Sequence, residues 1–106
     1  MSKCAALIKI GWLKNVFEGD GPCGVINKLE EIQDFGCLME MGRAQEGPAG
    51  QKELDKLEAF LEKYYDGSLT MKDIRELDVD LSIGKIICYG TAETEAEIEA
   101  LKAGER

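Results

Sequence analysis

The chain has 106 residues, 44% of them apolar, and carries 21 acidic against 13 basic side chains, a formal net charge of −8. That is one domain's worth of chain with enough apolar residues for a core, which excludes wholesale disorder, and its anionic balance argues against wrapping nucleic acid through phosphate contacts. Histidine is absent, which excludes Ser–His and Cys–His nucleophile pairs, imidazole general bases and His-ligated metals.

In AALIKIGWL, residues 5 to 13, Ile8, Ile10 and Trp12 alternate with Lys9 and Gly11, and a strand is expected. EGDGP, residues 18 to 22, is a breaker. A helix is expected from Pro22 to Phe35, because proline suits the first helical position and Val25, Leu29 and Ile32 repeat at helical spacing, with Ile26 beside them. Gly36 is its expected stop. CLMEM, residues 37 to 41, is too short to assign to helix or strand.

GRAQEGPAGQ, residues 42 to 51, holds three glycines and a proline and reads as an internal loop within a single domain spanning 1–106. KELDKLEAFLEKYY, residues 52 to 65, is the clearest helix, with a stripe of Leu54, Leu57, Leu61 and Tyr64 that Asp66-Gly67 ends. Thr70 caps a short helix, MKDIREL, with Asp73 near its positive end. β-Branched residues around Gly84 predict a strand over 83–89, and a last helix over about 94–103 is anchored by Ile98 and Leu101. The fold expected is α+β: a small, helix-dominated single domain whose minor sheet comes from the segments near 5–13 and 83–89. An all-α bundle is the alternative, should both segments be helical. The expected core is Ile8, Ile10, Trp12, Val25, Leu29, Ile32, Leu54, Leu57, Leu61, Tyr64, Ile74, Leu77, Ile86 and Ile87.

GDGPCG, residues 19 to 24, spells G-x-G-x-x-G. As a dinucleotide fingerprint it needs a strand running directly into the first glycine, whereas KNVFE intervenes and Glu18 and Asp20 set two negative charges beside a would-be phosphate. It reads instead as a turn that starts a helix, and no cofactor is expected. Cys23 falls in the first helical turn, where unpaired N–H groups and the helix dipole favour thiolate, making it the one candidate reactive thiol. The order strand, Trp12, loop, Gly21-Pro22-Cys23, helix is similar to the start of a thioredoxin-like domain. It departs from that pattern because the first cysteine of C-x-x-C is absent and the tryptophan is not adjacent. Cys4, Cys23, Cys37 and Cys88 lie 19, 14 and 51 residues apart; with no histidine they form no metal site and are expected as mostly buried thiols.

GSLTMKDIRELDVDLSIGKIICYG, within residues 67–90, resembles a helix-turn-helix unit of small regulators: a capped helix, a turn, and a second apolar stretch with Ser82 at its start. That resemblance implies a transcriptional regulator using 68–90, although the would-be recognition helix offers only Lys85 to DNA. Acids concentrate in the second part of the chain. Residues 1–42 hold six acids and four bases, and residues 43–106 hold fifteen and nine. Glu58, Glu62, Asp66, Asp73, Glu76, Asp78 and Asp80 are the candidate partner-binding carboxylates, with a solvated charged face as the plainer reading. No pair of acids stands out as a catalytic dyad.

The expected function is a non-enzymatic interaction protein, an adaptor or inhibitor, whose acidic surface engages a protein partner with a basic surface, including surfaces that normally hold nucleic acid. The alternatives are the helix-turn-helix regulator and a thiol-dependent redox protein using Cys23. The apolar run CAALI near the N-terminus is five residues long and Lys9 follows soon after, short of a secretory core, and no segment approaches the ~20 apolar residues of a membrane span. A cytoplasmic protein with no membrane partner is expected.

Overall fold

The computed structural model describes residues 3–45, 48–81 and 84–105. The chain opens with a hairpin, β1 (Lys3–Ile10) and β2 (Leu13–Asp20), in which Ile10 faces Leu13 across the two-residue turn Gly11-Trp12. Gly11 has φ +57 and Trp12 a negative φ, the pattern of a type II′ turn, whose twist matches that of the flanking strands. Three helices follow, α1 (Gly21–Glu30), α2 (Gln33–Gln45) and α3 (Pro48–Asp66). The short α4 (Met71–Arg75) leads into β3 (Asp78–Leu81) and β4 (Gly84–Ala92), and α5 (Glu95–Glu105) ends the described chain. The four strands form one antiparallel sheet in the order β2-β1-β4-β3. Five helices and four strands among the described residues make a small α+β domain, and the two expected strands, β1 and β4, are the central pair.

β1 is apolar almost throughout because both faces of this central strand are covered. Its even positions, Cys4, Ala6, Ile8 and Ile10, face the main core with Phe17, Val79, Leu81 and Ile86, under residues of α1 to α4. On the outer face Ala5, Ala92 and Val16 pack beneath Ile98 and Leu101 of α5. β3 reads Asp-Val-Asp-Leu and buries only Val79 and Leu81, as a half-covered strand must. Burying a side chain such as Ile26, Leu57 or Ile74, each fully enclosed, contributes about 1.5–3 kcal/mol.

The single expected helix over 22–35 is two helices, and Gly36 lies inside the second. Helical periodicity explains the break. At about 100° per residue, Leu29 and Leu38, nine residues apart, would lie on opposite sides of a continuous helix, yet both are buried. Interrupting the helix at residues 31–32 lets both segments face the same core. The expected loop over 42–51 is also corrected: 42–45 belong to α2 and 48–51 to α3, while residues 46 and 47 lie outside the described residues. Pro48 stands at the first position of α3, where its missing N–H costs no hydrogen bond, so it opens a helix instead of preventing one.

Trp12 is not in the core. It sits at the tip of the β1–β2 turn with no strand beside it and is fully exposed. Ile32, Tyr64 and Ile87 are half-buried, and the other ten residues expected in the core are enclosed. The helix-turn-helix reading of 68–90 fails at its second helix. Apart from residues 82 and 83, which lie outside the described residues and include Ser82, the chain from Asp78 to Ala92 is paired β-strand. Alternation of Val79 and Leu81 with Asp78 and Asp80 serves a strand with one covered face.

Candidate interaction groove

α3 presents Glu58, Leu61, Glu62 and Tyr65 at i, i+3, i+4 and i+7, one face of a helix. Phe35, Gly36, Met39 and Glu40 of α2 oppose them, and Glu30 at the end of α1 closes one side. Together they line a groove of about 600 Å³. Its floor is apolar, formed by the nearly enclosed Phe35, Met39 and Leu61. Its walls carry four carboxylates, Glu30, Glu40, Glu58 and Glu62, and no lysine or arginine appears among the described lining residues. Tyr65, 70% exposed, donates its hydroxyl to Glu30 Oε1 at 2.8 Å and fixes the end of the groove. Tyr64 beside it donates to Asn27 Oδ1 at 3.2 Å, and burial, reinforced by Glu30, pushes its hydroxyl pKa up.

The remaining acids expected at a binding surface go elsewhere. Asp66 accepts the Ser68 N–H at 2.8 Å and closes the turn after α3. Asp73 accepts from the Thr70 N–H and hydroxyl in the capping box of α4 and pairs with Lys63 at 3.0 Å. Those interactions, the Thr70 backbone bond first, hold its pKa below the usual carboxylate value. Asp73, Glu76 and Asp78 share a second cleft with Lys56 and Lys63, so charge there is largely offset. Asp80, on β3, lies 3.8 Å from Lys85. Of the seven, the groove therefore takes only Glu58 and Glu62, and joins them to Glu30 and Glu40, which sequence reasoning missed. Their signal was a second helix through CLMEM: once 33–45 is helical, Gly36, Met39 and Glu40 share a face at i, i+3 and i+4.

Cys23 is half-buried against the main core, and its thiol donates to the Tyr64 carbonyl at 3.8 Å. Cys4 is enclosed, Cys88 half-buried and Cys37 exposed, and all four are free. Burial raises the thiol pKa of Cys4 and Cys88, which disfavours thiolate at both. GDGPCG does follow a strand directly, contrary to the sequence reading, since β2 runs to Asp20 and α1 begins at Gly21. That strand is nonetheless an edge of an antiparallel sheet, so the described residues hold no parallel β-α-β unit of the kind a dinucleotide site needs. Among the described residues, no three His, Cys, Asp or Glu side chains are grouped to hold a metal, and no helix is long and apolar enough to cross a membrane. Comparison with known proteins gives no match: no family model, no curated protein and no solved structure is similar to this chain.

Proposed function

We propose that the chain is a non-enzymatic cytoplasmic interaction protein, an adaptor or inhibitor, whose groove between α2 and α3 takes a basic amphipathic segment of a protein partner. The observation that supports this reading is the pairing of an apolar floor with four carboxylates in one concave site. An amphipathic helix of the partner lays its apolar stripe on Phe35, Met39 and Leu61, as helix-in-groove recognition requires. Its lysines and arginines lie their stems along that floor and carry their charges to the glutamates. The net charge of −8 adds long-range attraction and raises the encounter rate with a basic partner.

Binding is tested with a fluorescent Lys/Leu amphipathic peptide titrated at rising salt, beside a pull-down from native lysate with and without nuclease. The expected result is peptide binding that weakens as salt rises, because exposed charges are screened beyond about 8–10 Å at physiological ionic strength. The double variant E40K/E62K should weaken it by about tenfold or more, given 1–3 kcal/mol for losing and reversing two contacts. Affinity indifferent to molar salt, or unchanged in that variant, would sink the proposal. A partner lost on nuclease treatment would show that nucleic acid, not the groove, carries the complex.

A further inference from the structure

The two edges of the sheet are not alike. β3 is four residues long, and its Asp80 N–H, turned away from β4, is taken by Glu53 Oε1 of α3 at 3.0 Å. β2 is eight residues long and, among the described residues, pairs with β1 alone. Its two-residue turn makes Ile10 and Leu13 the first hydrogen-bonded pair, and antiparallel alternation then commits the backbone groups of residues 13, 15, 17 and 19 to β1. The N–H and C=O groups of Lys14, Val16 and Glu18 consequently point off the edge. The side chain of Asn15 marks that direction, since its Oδ1 accepts the Val16 N–H at 3.0 Å where a neighbouring strand would otherwise do so. An open row of this kind is a template for another strand.

We infer that β2 pairs antiparallel with β2 of a second copy of this chain, about a two-fold axis through Val16. A second copy is the occupant because the strand complements itself in that register. Val16 meets the partner's Val16, Lys14 lies opposite the partner's Glu18, and Glu18 lies opposite the partner's Lys14. All three pairs occupy hydrogen-bonded positions and project to the same face of the sheet. Moving the axis to residue 15 sets Lys14 against Val16, and moving it to residue 17 sets Val16 against Glu18, so side-chain chemistry selects the register. Both charges are already held at the outer face, Lys14 with its ammonium 4.8 Å from the centre of the Tyr89 ring and Glu18 on Lys102 at 2.8 Å. Pairing releases Asn15 and joins two four-stranded sheets into one. The inference does not depend on what the groove binds.

The test is the mass of the purified protein in solution, by sedimentation and light scattering across a concentration series, with far-UV circular dichroism confirming that each variant is folded. The expected result is a monomer–dimer equilibrium. K14E and E18K should each weaken the dimer on the order of tenfold, because each sets like charges opposite one another twice. An equimolar mixture of the two should recover it, since every Glu then faces a Lys in the mixed pair. V16P gives a second reading: it removes an N–H that β1 does not use, and proline is tolerated on an edge strand, so it should yield a folded monomer. A protein monomeric at every concentration overturns the inference. So does a dimer indifferent to the charge reversals and V16P, or a mixture that fails to restore what the single reversals lose.

Discussion

Gly19, near the end of β2, and Gly24, in the first turn of α1, are packed backbone against backbone: a Cβ on Gly19 would overlap the Gly24 carbonyl and lie 2.6 Å from the Val25 nitrogen. The two outer glycines of GDGPCG thus permit the strand to turn straight into the helix, with Gly21 at φ +81 between them. Gly19→Ala should cost about 1–3 kcal/mol or more, because the obstruction is backbone and cannot rotate aside. Gly24→Ala should be much milder. Its Cβ meets Gly19 at 3.2–3.3 Å, and the tight contact is set against a gain of about 1 kcal/mol in helix propensity. Urea midpoints of the two variants check the order, and a Gly19→Ala midpoint at or above that of Gly24→Ala would refute it.

The capping box of α4 should be measurable by itself. Thr70→Ala removes the acceptor of the Asp73 N–H and should cost about 1 kcal/mol. Asp73 has its pKa depressed on folding, chiefly by the Thr70 backbone bond and then by Lys63, so it adds stability above its unfolded pKa and loses it as pH falls through the folded one. The stability gap between wild type and Asp73→Asn should therefore be flat at neutral pH and close below about pH 4. Thermal melts from pH 7 to acid follow it; a gap that widens on acidification contradicts the geometry.

Thiol labelling should rank the cysteines. Cys37, exposed on α2, should react first near pH 8, and Cys23, engaged with the Tyr64 carbonyl, more slowly. Cys4 and Cys88 should wait for unfolding, because burial raises their pKa values. Mass spectrometry of peptides labelled over time reads the order. Cys23 labelling well below pH 8 as fast as or faster than Cys37 would favour the thiol-dependent reading.

Trp12 is the chain's only tryptophan and stands fully in solvent, so fluorescence reports on one site. Emission of the folded monomer should resemble that of tryptophan in water and shift little on unfolding. Trp12→Ala should change stability by no more than about 0.5 kcal/mol, as for other surface positions. A blue-shifted native emission at low concentration would place the ring in an apolar contact and contradict the fold at that turn.

Local chemistry made much of this fold legible. The stripe of Leu54, Leu57 and Leu61 identified α3, Thr70 and Asp73 identified α4, and Ile8 with Ile10 and Ile86 identified the central strands. These signals work because periodicity and capping act between residues a few positions apart. β2 was missed because Leu-Lys-Asn-Val-Phe-Glu-Gly-Asp has no clean alternation and an edge strand needs none: its inner face buries Phe17, while Lys14, Asn15 and Asp20 are exposed. α2 was missed because Gly36 and Gly42 read as stops, although burial of Phe35, Leu38 and Met39 outweighs what two glycines cost a helix, about 1 kcal/mol each.

By itself the sequence determined an anionic α+β chain without histidine chemistry, with its best helix and its central strands in place, because composition and short-range periodicity are properties of the chain alone. Only the tertiary structure decided which carboxylates stand together. Glu30 and Glu40 join Glu58 and Glu62 across α1, α2 and α3, whereas Asp66, Asp73 and Asp80 are taken up by a turn, a cap and a lysine. It also decided that β2 is an open edge, since whether a strand is central or peripheral depends on partners dozens of residues away. Burial of a shared core, not spacing along the chain, brings such groups together, and a charge count cannot reveal which of them face one another.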